Sequence, residues 1–205
     1  MGDDSGTSIW QGAEVRLRAV EPGDWEVFHA WDFDDEGNRS SDRLGFPRSA
    51  DETRKWAEAA AARGAEGDAF RWIIEERDGA AVGTINTHSV DRRAGTFSYG
   101  VYISPAARHR GLAAEAIELV LRFYFEELRY QKADVHVYAF NEASAALHER
   151  LGFRLEGRLR RMLFTGGRHH DVLAYGLTVE EFAERRELPI GAPVGADAEQ
   201  GSAAR

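Results

Sequence analysis

The apolar positions of the chain change period several times, and each change marks an element. Glu14–Val20 alternates with period two and predicts a strand. Trp25, Phe28 and Trp31 then fall at helical spacing behind Asp24, which predicts a first helix. A polar, acidic stretch follows (Asp32 to Arg43) and reads as a loop. Ser49-Ala50-Asp51-Glu52 has capping-box spacing and opens a second helix to about Ala62. Phe70–Arg77 and Ala80–His88 predict two strands joined by the hairpin signal Asp78-Gly79, and Thr96–Ser104 predicts a third. After Pro105 the period lengthens. Ala113, Ile117, Val120, Tyr124 and Leu128 share one face of a long amphipathic helix. Alternation returns at Ala133–Ala139. Ser144–Leu151 is a short helix stopped at Gly152. Strands over about 154–164 and 171–177 flank a loop at Thr165-Gly166-Gly167-Arg168, and Thr178-Val179-Glu180-Glu181 caps a last helix. Helices placed among hairpin-connected strands imply an α+β architecture with a mixed sheet. The strand–helix–strand unit from 96 to 139 implies one parallel pair.

Composition narrows the class. The chain has 205 residues, enough for one core, and no cysteine. Disulfides, thiolate metal sites and a cysteine nucleophile are therefore excluded. No apolar run is long enough for a membrane helix, so the expectation is a cytoplasmic protein without a membrane partner. A net charge of −9 argues against general nucleic-acid binding and favours a cationic partner. Residues 1–8 and 189–205 are rich in Gly, Ala, Pro and acid and are expected to be disordered tails around a domain at 9–188. His169-His170-Asp171 resembles a metal trio, but adjacent strand residues face opposite sides, so no metal is expected.

Against that acidic background, Arg108-His109-Arg110-Gly111 concentrates positive charge between a strand and a helix. The first N–H groups of a helix have no internal partner, and its dipole favours an anion there. Glycine allows close backbone approach, and arginine adds forked donors. These features suit a phosphate or pyrophosphate, although the same stretch also reads as a solvated basic turn. The spacing is neither that of the ATP-binding P-loop nor that of the dinucleotide fingerprint.

Arg108-His109-Arg110-Gly111-Leu112-Ala113, then a long helix, a strand ending at Asn141, and Asn141-Glu-Ala-Ser-Ala-Ala-Leu-His-Glu-Arg-Leu-Gly-Phe153, resembles the GCN5-related N-acetyltransferase (GNAT) superfamily. The resemblance runs over about residues 13–186 and is closest to the branch of ribosomal-protein Nα-acetyltransferases and spermidine acetyltransferases. It implies a mostly antiparallel sheet of six to seven strands with a splayed parallel pair, flanked by helices. It further implies acetyl-CoA as donor. The amides of Arg108, His109, Arg110, Gly111, Leu112 and Ala113 would hold the pyrophosphate. Val101, Tyr102 and Ile103 would bond the pantetheine arm, with Asn141 and Ser144 beside it. Asn141 reads equally as a helix cap.

Acetyl transfer to an amine also needs a proton acceptor, because an alkylamine with a pKa near ~10.4 is mostly protonated at neutral pH. Many relatives carry a glutamate where this chain has Ser98, which can order a water but is not itself a base. The base is left unassigned. The acidic run Asp32, Asp34, Asp35 and Glu36 supplies candidates for it; Asp34, Asp35 and Glu36 are also candidates for binding a cationic acceptor, and the same run reads as a solvated loop. Where many relatives carry a tyrosine as general acid, this chain has His148, with Ser144 or Tyr138 as further candidates; His148 reads equally as a surface histidine. The expected reaction is direct acetyl transfer to a small-molecule amine (polyamine, aminoglycoside or amino sugar) or to a peptide N-terminus. The acceptor would enter between the loop after the first helix and the loop at 165–170. A sensor that binds acyl-CoA without turnover is the alternative. Dimers are common in this family, so a homodimer paired through the late hairpin is compatible with the sequence.

Overall fold

The computed structural model describes residues 8–41 and 44–187. The expected tails therefore lie outside the described residues, apart from Ser8. Seven strands form one sheet: β1 (Val15–Ala19), β2 (Arg71–Glu76), β3 (Ala81–Asp91), β4 (Thr96–Ile103), β5 (Lys132–Tyr138), β6 (Arg154–Thr165) and β7 (Arg168–Thr178). Their spatial order is β1-β2-β3-β4-β5-β7-β6. Every neighbouring pair is antiparallel except β4 and β5. The fold is the mixed α+β sheet that the polarity pattern implied.

Period-two alternation sends side chains to two different cores. On β2, Ile73 packs with Val20 and Phe28 beneath Trp31 and Trp56. This is the face covered by α1 (Trp25–Trp31) and α3 (Ala50–Arg63). Trp72 and Ile74 point the other way, into a larger cluster with Ile117, Val120 and Tyr124. Those three residues belong to the long helix, which runs as α4 (Leu112–Arg122) and then widens into a π turn over Phe123–Glu127. α6 (Val179–Glu187) adds Phe182 to the same core.

Two elements depart from the sequence expectation; the first lines the cleft, while residues 165–170, expected at its mouth, are not among the residues lining it. The acidic stretch is a helix, α2 (Asp35–Ser41), rather than a loop. Asp34 caps it, accepting the Gly37 N–H at 3.1 Å, and Asp35 and Glu36 occupy the dipole-favoured first turn. The expected loop at 165–170 is a tight hairpin between β6 and β7. Gly166 and Gly167 both have positive φ (57° and 76°), which is the two-residue turn chemistry that lets strands continue to its edge.

Candidate active site

The site starts from an incomplete strand pair. β4 and β5 are in register only at Thr96–Lys132, Phe97–Ala133 and Ser98–Asp134. Beyond Ser98 the strands diverge. β4 stays paired with β3 as far as Ile103, and β5 stays paired with β7 as far as Tyr138. Val101, Tyr102 and Ile103 therefore form one lip of an open wedge, and Val135 to Tyr138 form the other. Both lips line a cleft of about 1460 Å³ that also takes in Gly111, Ser144 and His148.

At the mouth of the wedge, Gly111 is the N-cap of α4 in a left-handed conformation, φ 83°. His109 is also left-handed, φ 62°. A side chain at Gly111 would meet no atom within 4 Å, so the backbone is open to a ligand there. The Ala114 N–H returns to Gly111 O at 3.0 Å. Among the described residues, the N–H groups of Gly111, Leu112 and Ala113 therefore have no acceptor. Amides in left-handed turns at a helix start make an anion-binding concavity.

The two arginines of this loop do not face that concavity. Arg110 holds Glu76 in a forked ion pair at 2.5 and 3.0 Å. Arg108 donates to Ile103 O at 3.1 Å and pairs with Asp34. Tyr102 also donates to Asp34, at 2.9 Å. Burial, with the Asp34 carboxylate alongside, pushes the Tyr102 hydroxyl above its ordinary range. Asp34 is thus held by Arg108 and Tyr102, whereas Asp35 and Glu36 are exposed at the cleft. α2 is tied down at two further points: Asn141 donates to Ser40 O at 3.1 Å, and Arg39 donates to Thr165 Oγ1 at 3.0 Å. It forms a strap across the diverging strands.

α5 (Glu142–Arg150) carries the remaining candidates. Asn141 is its N-cap, accepting the Ser144 N–H at 3.0 Å. Both ends of that amide are engaged within the protein, and the capping geometry is present. His148 is buried, not a surface histidine. Its Nδ1 lies 2.8 Å from Ser144 O, and Ser144 Oγ is 3.4 Å away. A carbonyl can only accept, so the neutral ring carries its proton on Nδ1 and leaves a lone pair on Nε2. Burial lowers the His148 pKa, against the opposing effect of the Ser144 carbonyl. Burial is the larger effect and favours the neutral ring. Its Nε2 has no partner among the described residues, nor has the buried hydroxyl of Tyr99. The Tyr99 ring lies 5.8 Å from the His148 ring, centroid to centroid, and burial pushes its hydroxyl far above the usual phenol range. Buried polar atoms without a partner are costly unless a ligand or water meets them.

At the apex of the wedge, Ser98 donates to Asp134 Oδ2 at 2.6 Å. Sequence reasoning missed Asp134, Tyr99 and the Tyr102–Asp34 contact. All three depend on strand register or on packing between distant segments. The acetyltransferase (GNAT) domain family matches residues 14–154. Over 175 residues the chain is 45% identical to the SPbeta prophage-derived uncharacterized N-acetyltransferase YokL of Bacillus subtilis (strain 168), covering 85% of this chain and 96% of that protein. It is 25% identical to the spermidine N(1)-acetyltransferase of Vibrio cholerae, covering 85% of this chain and 99% of that one. A crystal structure of spermidine N-acetyltransferase from Vibrio cholerae in complex with CoA and spermine matches with a TM-score of 0.74 at 21% identity, over 84% of this chain and 99% of that one.

Proposed function

Because the chain belongs to the GNAT acetyltransferase family and is an N-acetyltransferase of that type, we propose that it moves an acetyl group from acetyl-CoA directly to a primary amine. The carrying observation is the wedge: two strands that part after three rungs, beside a helix start with free amides. The donor supplies a thioester already activated for attack by nitrogen. The loop amides of Gly111, Leu112 and Ala113 hold its pyrophosphate, and the β4 lip from Val101 to Ile103 orients its arm as an added strand would be oriented. Ser144 lines the same cleft.

His148 Nε2 takes a proton that leaves the nitrogen and returns it to the departing sulfur, a polarity set by the Nδ1 contact to Ser144 O. Asp35 and Glu36, exposed at the cleft, attract a cationic acceptor. Among the described residues no helix is long and apolar enough to cross a membrane. A homodimer through the β6 edge, where Leu155, Met162 and Phe164 are exposed, completes this reading.

The test is thiol release from acetyl-CoA with spermidine, kanamycin and an alanine-terminated peptide, alongside calorimetry of coenzyme A binding. Binding with release by at least one amine is expected. Binding without any release would favour the sensor, and no binding would sink both. For a cationic acceptor, Asp35→Asn with Glu36→Gln is expected to raise KM severalfold and leave coenzyme A affinity unchanged.

A further inference from the structure

We propose that Asp134, acting through the Ser98 hydroxyl, receives the proton that the acceptor ammonium must lose before it attacks. The two residues form the last rung of the parallel pair, so they lie at the point from which the wedge opens. Ser98 is buried and lines the cleft. Its hydroxyl donates to Asp134 Oδ2 at 2.6 Å, the short range of a hydrogen bond to a carboxylate. With its proton directed at Asp134, the Ser98 oxygen presents lone pairs towards the cleft, where they can accept from an ammonium.

Charged and titratable groups lie close to Asp134 on the same face of the sheet. Lys132 and His136 are two residues away on the same face of β5, and His88 stands opposite Ser98 on β3. Lys132 is taken by Glu156, at 2.6 and 2.8 Å. Glu156 lies over Gly176, the β7 neighbour of Asp134 on the same rung. Among the described residues, no arginine or lysine forms an ion pair with Asp134.

The protons balance. The ammonium N–H bond breaks as a new bond forms to Ser98 Oγ, while the original Ser98 proton moves to Asp134 and from there to water. The free amine then attacks, its second proton goes to the sulfur, and the products are amide, thiol and one released proton. Ser98 touches the acceptor and is catalytic in this scheme. Asp134 is a positioning residue that sets the direction of the serine hydroxyl and takes up its proton.

The inference rests on the acetyltransferase reading and is separable from it. Asp134→Asn keeps the shape and the hydrogen-bond acceptor for Ser98 but removes the basicity. With whichever of spermidine, kanamycin or the alanine-terminated peptide supports thiol release, kcat/KM of Asp134→Asn at pH 7 is expected to fall of the order of a hundredfold. The deficit should shrink steadily towards pH 10, where the amine loses its proton unaided. Ser98→Ala should show a similar deficit, and the double variant should be no worse than either single one. Coenzyme A affinity by calorimetry should stay at the value of the unaltered protein in every variant, and the melting temperature should stay there in Asp134→Asn, whereas Ser98→Ala loses a buried hydrogen bond and melts lower. A deficit equal at every pH, additive losses, or loss of coenzyme A binding in Asp134→Asn would make the pair a strut and overturn the proposal. Unchanged turnover in Asp134→Asn would overturn it as well, leaving the acetyltransferase reading intact. No release by the unaltered protein with any of the three amines would remove both.

Discussion

A β-carbon on Gly37 would fall onto Asp34 Oδ2, Arg108 Nη2 and the Tyr102 ring. The buried glycine is what lets α2 approach the anion loop closely enough for Arg108 to hold Asp34. Gly37→Ala is expected to cost about 1–3 kcal/mol, the usual penalty for overpacking, read as a lower urea midpoint. Arg108→Lys, which cannot make the forked contacts to both Asp34 and Ile103 O, should loosen the same joint. His148 ties the stability of the fold to pH. Its pKa is depressed in the fold by burial, while in the unfolded chain it protonates near its ordinary value of ~6.5. Its contribution to stability is intact above that value and is lost as pH falls below it, because the unfolded chain then binds the proton more readily. The melting temperature should drop between pH 7 and pH 5, and His148→Gln should flatten part of that slope.

Among the elements, Asn141 shows one side chain serving two. Its oxygen caps α5 and its nitrogen holds the last turn of α2. Asn141→Ala is expected to lose about 0.5–2 kcal/mol for the cap, whereas Asn141→Asp keeps the cap and loses only the donor to Ser40. Urea melts should rank the two in that order, with kcat/KM falling in both. Signals that act within a few residues were readable in the chain. Ser49 caps α3 at 3.1 Å from the Glu52 N–H, as its spacing predicts. Asp78-Gly79 turns β2 into β3, and Gly152 ends α5 at φ 85°. α2 escaped because a seven-residue helix of Asp, Glu, Gly, Asn, Arg and Ser has no apolar stripe to announce it. The π turn after Arg122 escaped because its apolar spacing is close to that of an ordinary helix. The Ser98–Asp134 pair was invisible for a different reason. It joins residues 36 positions apart through a parallel register, and no local pattern encodes a register.

On the scale of the whole molecule, the sheet ends in an edge strand, β6, that is apolar in places and basic in others. Met162 and Phe164 are 62% and 63% exposed, while Arg154, Arg158, Arg160 and Arg161 share the strand. Charges on an edge discourage indiscriminate strand pairing, and the exposed apolar positions favour one specific contact. The homodimer proposed above predicts concentration-dependent association in sedimentation velocity that Met162→Ser with Phe164→Ser abolishes, with little shift in the melting temperature of the separated chain, because both side chains lie on the surface.

The three-rung parallel pair also bears on motion. In a strand that has lost a neighbour on one side, alternate amides point to solvent rather than to a carbonyl. Deuterium should therefore enter the upper half of β4, from Gly100 to Ile103, at every second position within seconds, while the positions bonded to β3 stay protected. Thr96 to Ser98, bonded on both flanks, should hold their hydrogen throughout. A molecule lying between the lips would slow the fast set and leave the slow set as it was, a fingerprint of occupancy that can be recorded with no chemistry taking place.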